Sequence, residues 1–152
     1  MASGSARGVL TTRERSPLSR VRVLLADDHS AMLRRIVELL TPEFEVIGAV
    51  CDGQALIEAA AATNPDVIIS DISMPILSGI EAAQQLSKSG SKAKIVFLSV
   101  HEDPDYISAS LAVGAIGYVI KPRITSDLRV AIKRALKGMR FVSPPTRSRK
   151  AG

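Results

Sequence analysis

Five short apolar runs rich in Val, Ile and Leu alternate along this chain with segments whose apolar residues recur every three or four positions. Such runs are typical of strands in a parallel sheet, and the recurring pattern is typical of helices that cover it. We predict strands at 21–26, 44–50, 67–69, 93–99 and 116–120, and helices at 30–40, 53–63, 78–88, 104–113 and 126–137. The alternation predicts an α/β fold of flavodoxin-like type, a five-stranded parallel sheet in the order 2-1-3-4-5 with helices on both faces.

Capping residues support three of these helices. Asp52 is a suitable N-cap for the second, and Ser78 with Glu81 forms a capping-box pattern for the third. Asp103 followed by proline suits the start of the fourth. The predicted apolar side of the fifth helix consists of Leu128, Ala131, Ile132, Ala135, Leu136 and Met139.

The distribution of charge excludes a basic nucleic-acid platform in the folded part. The net charge is +5, but residues 1–20 carry four Arg against one Glu and residues 141–152 carry three basic residues and no acid. The remaining 120 residues are therefore slightly acidic. Aromatic residues amount to 3%, too few for a base-stacking surface.

The composition also divides the chain into three parts. Residues 1–20 lack apolar periodicity and are predicted to be a disordered extension, and residues 21–140 form the domain. Residues 141–152 are predicted to be a basic flexible tail. With one cysteine, no apolar run of membrane-spanning length and no secretory signal, we expect a cytoplasmic protein without membrane partners.

Acidic residues follow two of the predicted strands. Asp27 and Asp28 come after strand 1 and Asp71 after strand 3, the two strands that flank the switch point of a 2-1-3-4-5 sheet. Three carboxylates in one crevice repel one another unless a cation joins them, and oxygen ligands favour Mg²⁺ (or Mn²⁺). Ser99 and Lys121 end strands 4 and 5 on the same edge and can each bind a phosphoryl oxygen.

Each of these residues also has an ordinary structural interpretation. Asp before a helix is commonly a cap, and Asp at a strand end is often a turn residue. An aspartate nucleophile also occurs in haloacid-dehalogenase-type phosphohydrolases, but those enzymes need a second acid two residues later, and position 73 is Ser. The joint placement favours a phosphate acceptor at Asp71.

The combined motif resembles the receiver domain of bacterial two-component response regulators, in particular the NarL/FixJ-type branch, over about residues 21–140. The resemblance rests on residues 26–29 (Ala-Asp-Asp-His), 71–75 (Asp-Ile-Ser-Met-Pro), 98–101 (Leu-Ser-Val-His) and 114–122 (Gly-Ala-Ile-Gly-Tyr-Val-Ile-Lys-Pro).

The resemblance implies a role for each matching position. Asp71 corresponds to the phosphorylated aspartate, and Asp28, Asp27 and the Ser73 backbone carbonyl correspond to the metal site. Ser99 corresponds to the switch hydroxyl, Tyr118 to the switch aromatic that moves inward, and Lys121 to the phosphate-pairing lysine. The Lys121-Pro122 bond resembles the cis peptide of the family.

The resemblance also implies partners. A histidine kinase or phosphotransfer protein would supply the phosphoryl group, and the helix 4–strand 5–helix 5 face would bind a downstream protein or a second copy. We expect a phosphoacceptor switch and not an enzyme, and no DNA-binding domain within these 152 residues. The alternatives are a pseudo-receiver that signals without phosphorylation and a receiver fragment of a DNA-binding regulator.

Overall fold

A computed structural model describes residues 20–146, and over this range six parallel strands form one sheet. The strands are β1 (Arg22–Ala26), β2 (Glu45–Val50), β3 (Val67–Asp71), β4 (Lys94–Ser99), β5 (Gly117–Ile120) and β6 (Phe141–Val142). Their order is β2-β1-β3-β4-β5-β6. The predicted flavodoxin-like order is confirmed for the first five strands, and the predicted number of strands is one too few.

Helices connect the strands as the alternation predicts. Within the described range they are α1 (Ser30–Leu40), α2 (Gly53–Thr63), α3 (Gly79–Lys88), α4 (Pro104–Leu111) and α5 (Ile124–Leu136). Both members of the capping box at Ser78 and Glu81 form, and the Asp52 and Asp103 side chains accept hydrogen bonds from backbone N–H groups of their helices. No helix in residues 20–146 is long and apolar enough to span a bilayer.

The core lies in two layers on the two faces of the sheet. Alternate strand residues point to opposite faces, so Val23 and Leu25 pack with α1 and α5, whereas Leu24 and Ala26 pack with α2 to α4. Each fully buried aliphatic side chain contributes about 1.5–3 kcal/mol relative to an exposed one. The carboxyl ends of the strands form one edge of the sheet, and this edge carries the polar residues discussed below.

The short strand β6 corrects the predicted boundary of the domain at residue 140. Phe141 and Val142 pair with Gly117 and Tyr118 of β5, and Ser143 is 4% exposed. A strand of two residues has too little pattern to be recognised in a Pro- and Arg-rich segment. Residues 141–146 are therefore part of the folded structure, and residues 1–19 of the predicted extension and 147–152 of the predicted tail lie outside the described range.

Helix α5 corrects two further expectations. It begins at Ile124, because a 3₁₀ turn at Lys121–Arg123 leads directly into it. Leu136 and Met139, predicted on the apolar side, are 39% and 49% exposed, because the helix ends at Leu136 and Met139 lies beyond it. None of the peptide bonds in residues 20–146 is cis, so the bond before Pro122 is trans, which suits a proline in the first positions of the turn.

Candidate functional site

The register of the sheet brings the predicted site residues to one edge. Asp71 lies opposite Leu98, and Ser99 lies opposite Ile120, so the ends of β3, β4 and β5 are level with one another. Asp27 follows β1, where its backbone N–H donates to Val50 at 3.0 Å. Because parallel strands end at the same edge, the side chains after β1, β3, β4 and β5 converge there.

An acidic cluster forms at this edge. Asp27, Asp28, His29 and Asp71 each offer a ligand atom, and these atoms all lie within 4.8 Å of one another. Asp27 is fully buried and Asp71 is 5% exposed, whereas Asp28 and His29 are open to solvent. The structure thus brings together the three predicted carboxylates and adds an imidazole.

Lys121 lies between the two buried carboxylates. Its Nζ is 3.2 Å from Asp71 Oδ2 and 3.2 Å from Asp27 Oδ2. Burial lowers the pKa of Lys121, but Asp71 and Asp27 raise it more, so the ammonium stays charged. Burial raises the pKa of the Asp71 carboxyl and Asp27 raises it further, against the opposing effect of Lys121. One ammonium does not compensate this concentration of negative charge.

One oxygen of the cluster lacks a hydrogen bond. Asp27 Oδ1 accepts from the His29 N–H at 2.9 Å. Asp27 Oδ2 is the buried side-chain atom within residues 20–146 that has no hydrogen-bond partner. Its charged neighbour is Lys121, whose Nζ lies 3.2 Å away in an ion pair. Converging carboxylate oxygens, one of them unsatisfied, fit a hard divalent cation such as Mg²⁺.

The β3–α3 loop holds the main chain of Asp71 in place. A Cβ at Gly79 would lie 2.2 Å from the Asp71 carbonyl oxygen, so only glycine permits this approach. The Gly79 N–H donates to Ile72 at 2.7 Å, and the Ile72 N–H donates to Asp71 Oδ1 at 2.8 Å. Ile76 in the same loop has φ 70 and is 76% exposed, an unusual conformation for a β-branched residue.

Ser99 and Tyr118 lie on the side of the site that faces α4. Ser99 is buried, and its Oγ accepts from the His101 N–H at 3.1 Å. Tyr118 is fully buried, and its hydroxyl donates to the His101 carbonyl at 2.9 Å. Burial raises the pKa of Tyr118, and the Ser99 hydroxyl partly offsets this. Tyr118 therefore already occupies the inward position that the resemblance describes.

Two residues near the site were not identified from the sequence. His29 Nδ1 lies 3.2 Å from Oδ1 of both Asp27 and Asp28, and its position directly after the acid pair is the signal that could have indicated it. The ring of Tyr106 in α4 packs against the His101 ring in a tilted arrangement, with centroids 4.4 Å apart and planes at 44°. Burial raises the pKa of Tyr106, and the charge of Asp71 raises it further. Nothing in the local sequence indicated the contact between Tyr106 and His101.

Ser73, predicted to offer its backbone carbonyl to the metal, is exposed.

The fold and site together define a doubly wound parallel α/β domain with an acidic pocket and a lysine at the carboxyl edge of its sheet. Residues 23–133 match the response regulator receiver domain family, and the chain belongs to that family. Receiver domains of two-component response regulators act in phosphorylation-dependent signalling, and they typically bind Mg²⁺ in an acidic pocket.

Individual relatives support the assignment. The transcriptional regulatory protein DegU of Brevibacillus brevis is 33% identical over 128 residues, which cover 83% of this chain and 54% of DegU. The chain spans 54–63% of the length of the curated regulators that it matches.

Solved structures give the same result. The receiver domain of the response regulator NarL from Mycobacterium tuberculosis has a TM-score of 0.75 at 28% identity, covering 79% of this chain and 98% of that one. The isolated REC domain of RcsB from Salmonella enterica serovar Typhimurium, solved with phosphomimetic BeF₃⁻, also has a TM-score of 0.75 at 28% identity, covering 82% and 94%.

Proposed function

We propose that Asp71 accepts a phosphoryl group from a phosphohistidine of a histidine kinase or phosphotransfer protein, with Mg²⁺ (or Mn²⁺) as cofactor. The observation that carries the proposal is the position of Lys121, 3.2 Å from both Asp71 and Asp27 inside an acidic cluster. A structural ion pair needs one carboxylate, whereas this lysine faces an excess of acid, which suits a site that receives a cation and a phosphoryl group.

The transfer places little chemical demand on the protein. A carboxylate oxygen of Asp71 attacks the phosphorus, and the new P–O bond forms as the P–N bond to the donor imidazole breaks. The donor ring carries a proton on its other nitrogen, so it takes the electron pair of the P–N bond and leaves as neutral imidazole. The raised pKa of Asp71 makes its carboxylate more basic than an ordinary one. The Ile72 N–H on Oδ1 and Lys121 beside Oδ2 keep the carboxylate oriented toward the cluster.

The metal-binding roles fall to Asp28, Asp27, Asp71 and the Ser73 carbonyl. When bound, the cation neutralises the negative charge that collects on the phosphoryl oxygens. Asp27 is fully buried, so its unsatisfied Oδ2 cannot be relieved by turning into solvent. Lys121 then pairs with the phosphoryl group, for which its charge is already in place.

The response to phosphorylation follows from Ser99 and Tyr118. Ser99 Oγ turns to donate to a phosphoryl oxygen, and the buried position of Tyr118 beside it is the conformation that this movement stabilises. The bonds from Ser99 and Tyr118 to the two sides of His101 connect the site to the start of α4. The face formed by α4, β5 and α5 then binds a downstream protein or a second copy of this chain.

The remaining parts of the proposal concern context. The chain acts in the cytoplasm as a phosphoacceptor and not as an enzyme with multiple turnover. The relatives named as transcriptional regulators continue beyond the region that this chain matches. The proposed output is a protein contact, made through the α4–β5–α5 face.

Phosphorylation by acetyl phosphate tests the proposal. In the presence of Mg²⁺ the intact mass should rise by about 80 Da, the mass of one phosphoryl group, in the wild type and not in Asp71→Asn. Omitting Mg²⁺, or changing Asp28 to Asn, should slow the reaction at least tenfold. An unmodified wild type would favour the pseudo-receiver alternative, and repeated hydrolysis of a phosphomonoester would favour a phosphohydrolase.

A further inference from the structure

Residues 141–146, which we call the C-terminal strap, run from the end of α5 across the edge of β5 to the β4–α4 loop. The Phe141 N–H donates to Ile116 at 3.1 Å and the Ser143 N–H donates to Tyr118 at 2.9 Å. The strap therefore adds a strand beside the switch aromatic, on the face proposed above for partner binding.

A buried hydrogen-bond network holds the middle of the strap. Ser143 Oγ donates to Asp127 Oδ2 at 2.7 Å and accepts from the Ile120 N–H at 3.1 Å. Asp127 also receives Arg123 Nε at 2.9 Å. Although burial raises the pKa of Asp127, the hydrogen bonds of Ser143, Arg123 and Ser126 lower it more. A serine that satisfies a strand N–H and a carboxylate together is a specific attachment, not an accidental tail contact.

The end of the strap contacts the loop next to the switch residues. The Thr146 N–H donates to Glu102 Oε1 at 3.0 Å, and the Thr146 hydroxyl donates to the other carboxylate oxygen. Glu102 directly follows His101, whose carbonyl accepts the Tyr118 hydroxyl. Between these attachments Val142 and Pro145 line an open cavity of 350 Å³ together with Ile107 and Leu111 of α4.

We propose that the C-terminal strap senses the phosphorylation state, docking on the β4–α4 loop when Tyr118 is buried and loosening when Tyr118 turns outward. The inference rests on the proposed function of Asp71. The physical connection is short: the Tyr118 hydroxyl fixes His101, and its neighbour Glu102 anchors Thr146. When Tyr118 turns outward, its hydrogen bond to His101 is lost, and His101 beside the Glu102 anchor becomes free to move. Phosphorylation keeps Tyr118 buried, so the strap attaches most strongly in the phosphorylated state.

The coupling gives the chain an output besides an exposed face. The Thr146 end of the strap is held at the β4–α4 loop in one state and released in the other. The docked strap also covers the β5 edge, so a partner that binds by adding a strand to β5 would compete with it.

Amide hydrogen exchange by NMR on the full chain tests this proposal. The probe is Mg²⁺ with beryllofluoride, and bound fluoride signals report occupancy of the Asp71 site in the same sample. We expect occupancy to slow exchange at the Ser143 and Thr146 amides at least about fivefold, the lower end of typical coupling between sites. Bound beryllofluoride with unchanged or faster exchange at these amides would overturn the strap proposal and leave the proposed function intact.

Single substitutions distinguish the loss of the Glu102 anchor from a general loss of stability. Glu102→Ala should speed exchange at Ser143 and Thr146 about fivefold in the free chain and remove the response to beryllofluoride, and Thr146→Val should have a smaller effect in the same direction. Glu38→Ala removes an exposed acid on α1 and is the matched control. It should change neither the exchange rates of these amides nor their response to beryllofluoride. A Glu102→Ala chain with wild-type exchange at Ser143 would refute the anchor. Absence of any bound fluoride would refute the proposed function and the strap proposal with it.

Discussion

Replacing Asp71 by Asn should stabilise the metal-free protein at neutral pH, although it removes the residue proposed as essential. The cause is electrostatic. Asp71 faces two other carboxylates within 4.8 Å and one ammonium at 3.2 Å. At an effective dielectric constant of about 20, each repulsion amounts to about 3.5 kcal/mol and the attraction to about 5 kcal/mol.

The net gain is smaller than these sums suggest. Asp28 is partly exposed, so solvent screens much of its repulsion. The desolvation of a carboxylate that is 5% exposed adds to the cost of the charged form, and Asn avoids this cost. We therefore expect Asp71→Asn to raise the free energy of unfolding by about 1–2 kcal/mol, an ordinary magnitude for a single substitution.

The raised pKa of Asp71 determines how the stabilisation by Asp71→Asn changes with pH. The pKa of Asp71 is raised in the folded state above its ordinary value of 3.8. The folded chain therefore holds a proton at pH values where the unfolded chain has lost it, and stability falls as the pH rises through the folded pKa. The advantage of Asp71→Asn should be full at pH 7 and should disappear as the pH approaches the ordinary value.

Urea unfolding in EDTA, followed by far-UV circular dichroism, measures the effect as a shift of midpoint at constant slope. Asp52→Asn is the matched control, because it removes the same charge from an N-cap that Asn fills equally well, and its midpoint should not move. Added Mg²⁺ should stabilise the wild type more than Asp71→Asn. An Asp71→Asn chain that is no more stable than the wild type at pH 7 would refute the electrostatic account of the site.

Three further predictions concern the supports of the site. Ser143→Ala leaves the Ile120 N–H and an Asp127 oxygen without this partner in a buried place, and should cost about 2–3 kcal/mol in urea unfolding. Gly79→Ala forces a Cβ to within 2.2 Å of the Asp71 carbonyl and should cost more than about 2 kcal/mol while weakening Mg²⁺ binding, measured by calorimetry. Asp127→Asn should be less stable than the wild type at pH 7. Because the pKa of Asp127 is lowered in the folded state, this difference should shrink as the pH falls below about 4.

Each of these predictions has a control or a contradicting result. Ser126→Ala removes one half-buried hydrogen bond to Asp127 and should cost less than about 1 kcal/mol. A Gly79→Ala chain with unchanged Mg²⁺ affinity would show that the loop does not position Asp71. For Asp127, a stability difference that stays constant from pH 7 to pH 3 would mean that its charge does not contribute.

Local sequence signals predicted most of the fold because they act over a few residues. The boundaries of α1 and α2 agree with the prediction, and the caps at Asp52 and Ser78 form as their spacing requires. The convergence of Asp27, Asp71 and Lys121 was predictable as well, since the strand order alone brings the ends of β1, β3 and β5 to one edge.

Features that depend on distant contacts were not predictable in this way. The strand β6 is stabilised by hydrogen bonds of Ser143 Oγ with Asp127 and with the Ile120 N–H, which lie 16 and 23 residues earlier in the chain. The exposure of Met139 depends on where α5 ends, and the tilted contact of the Tyr106 and His101 rings joins α4 to the loop before it. No periodicity in the sequence carries this information.

The most direct test of the central claim is the chemical identity of residue 71 after phosphorylation. The chain is treated with acetyl phosphate and Mg²⁺, reduced with borohydride, which converts an aspartyl phosphate to homoserine, and mapped by peptide mass spectrometry. The account predicts homoserine at position 71 and unmodified aspartate at positions 27 and 28. Homoserine at either of those positions, or aspartate at all three in a chain that has gained a phosphoryl group, would contradict it.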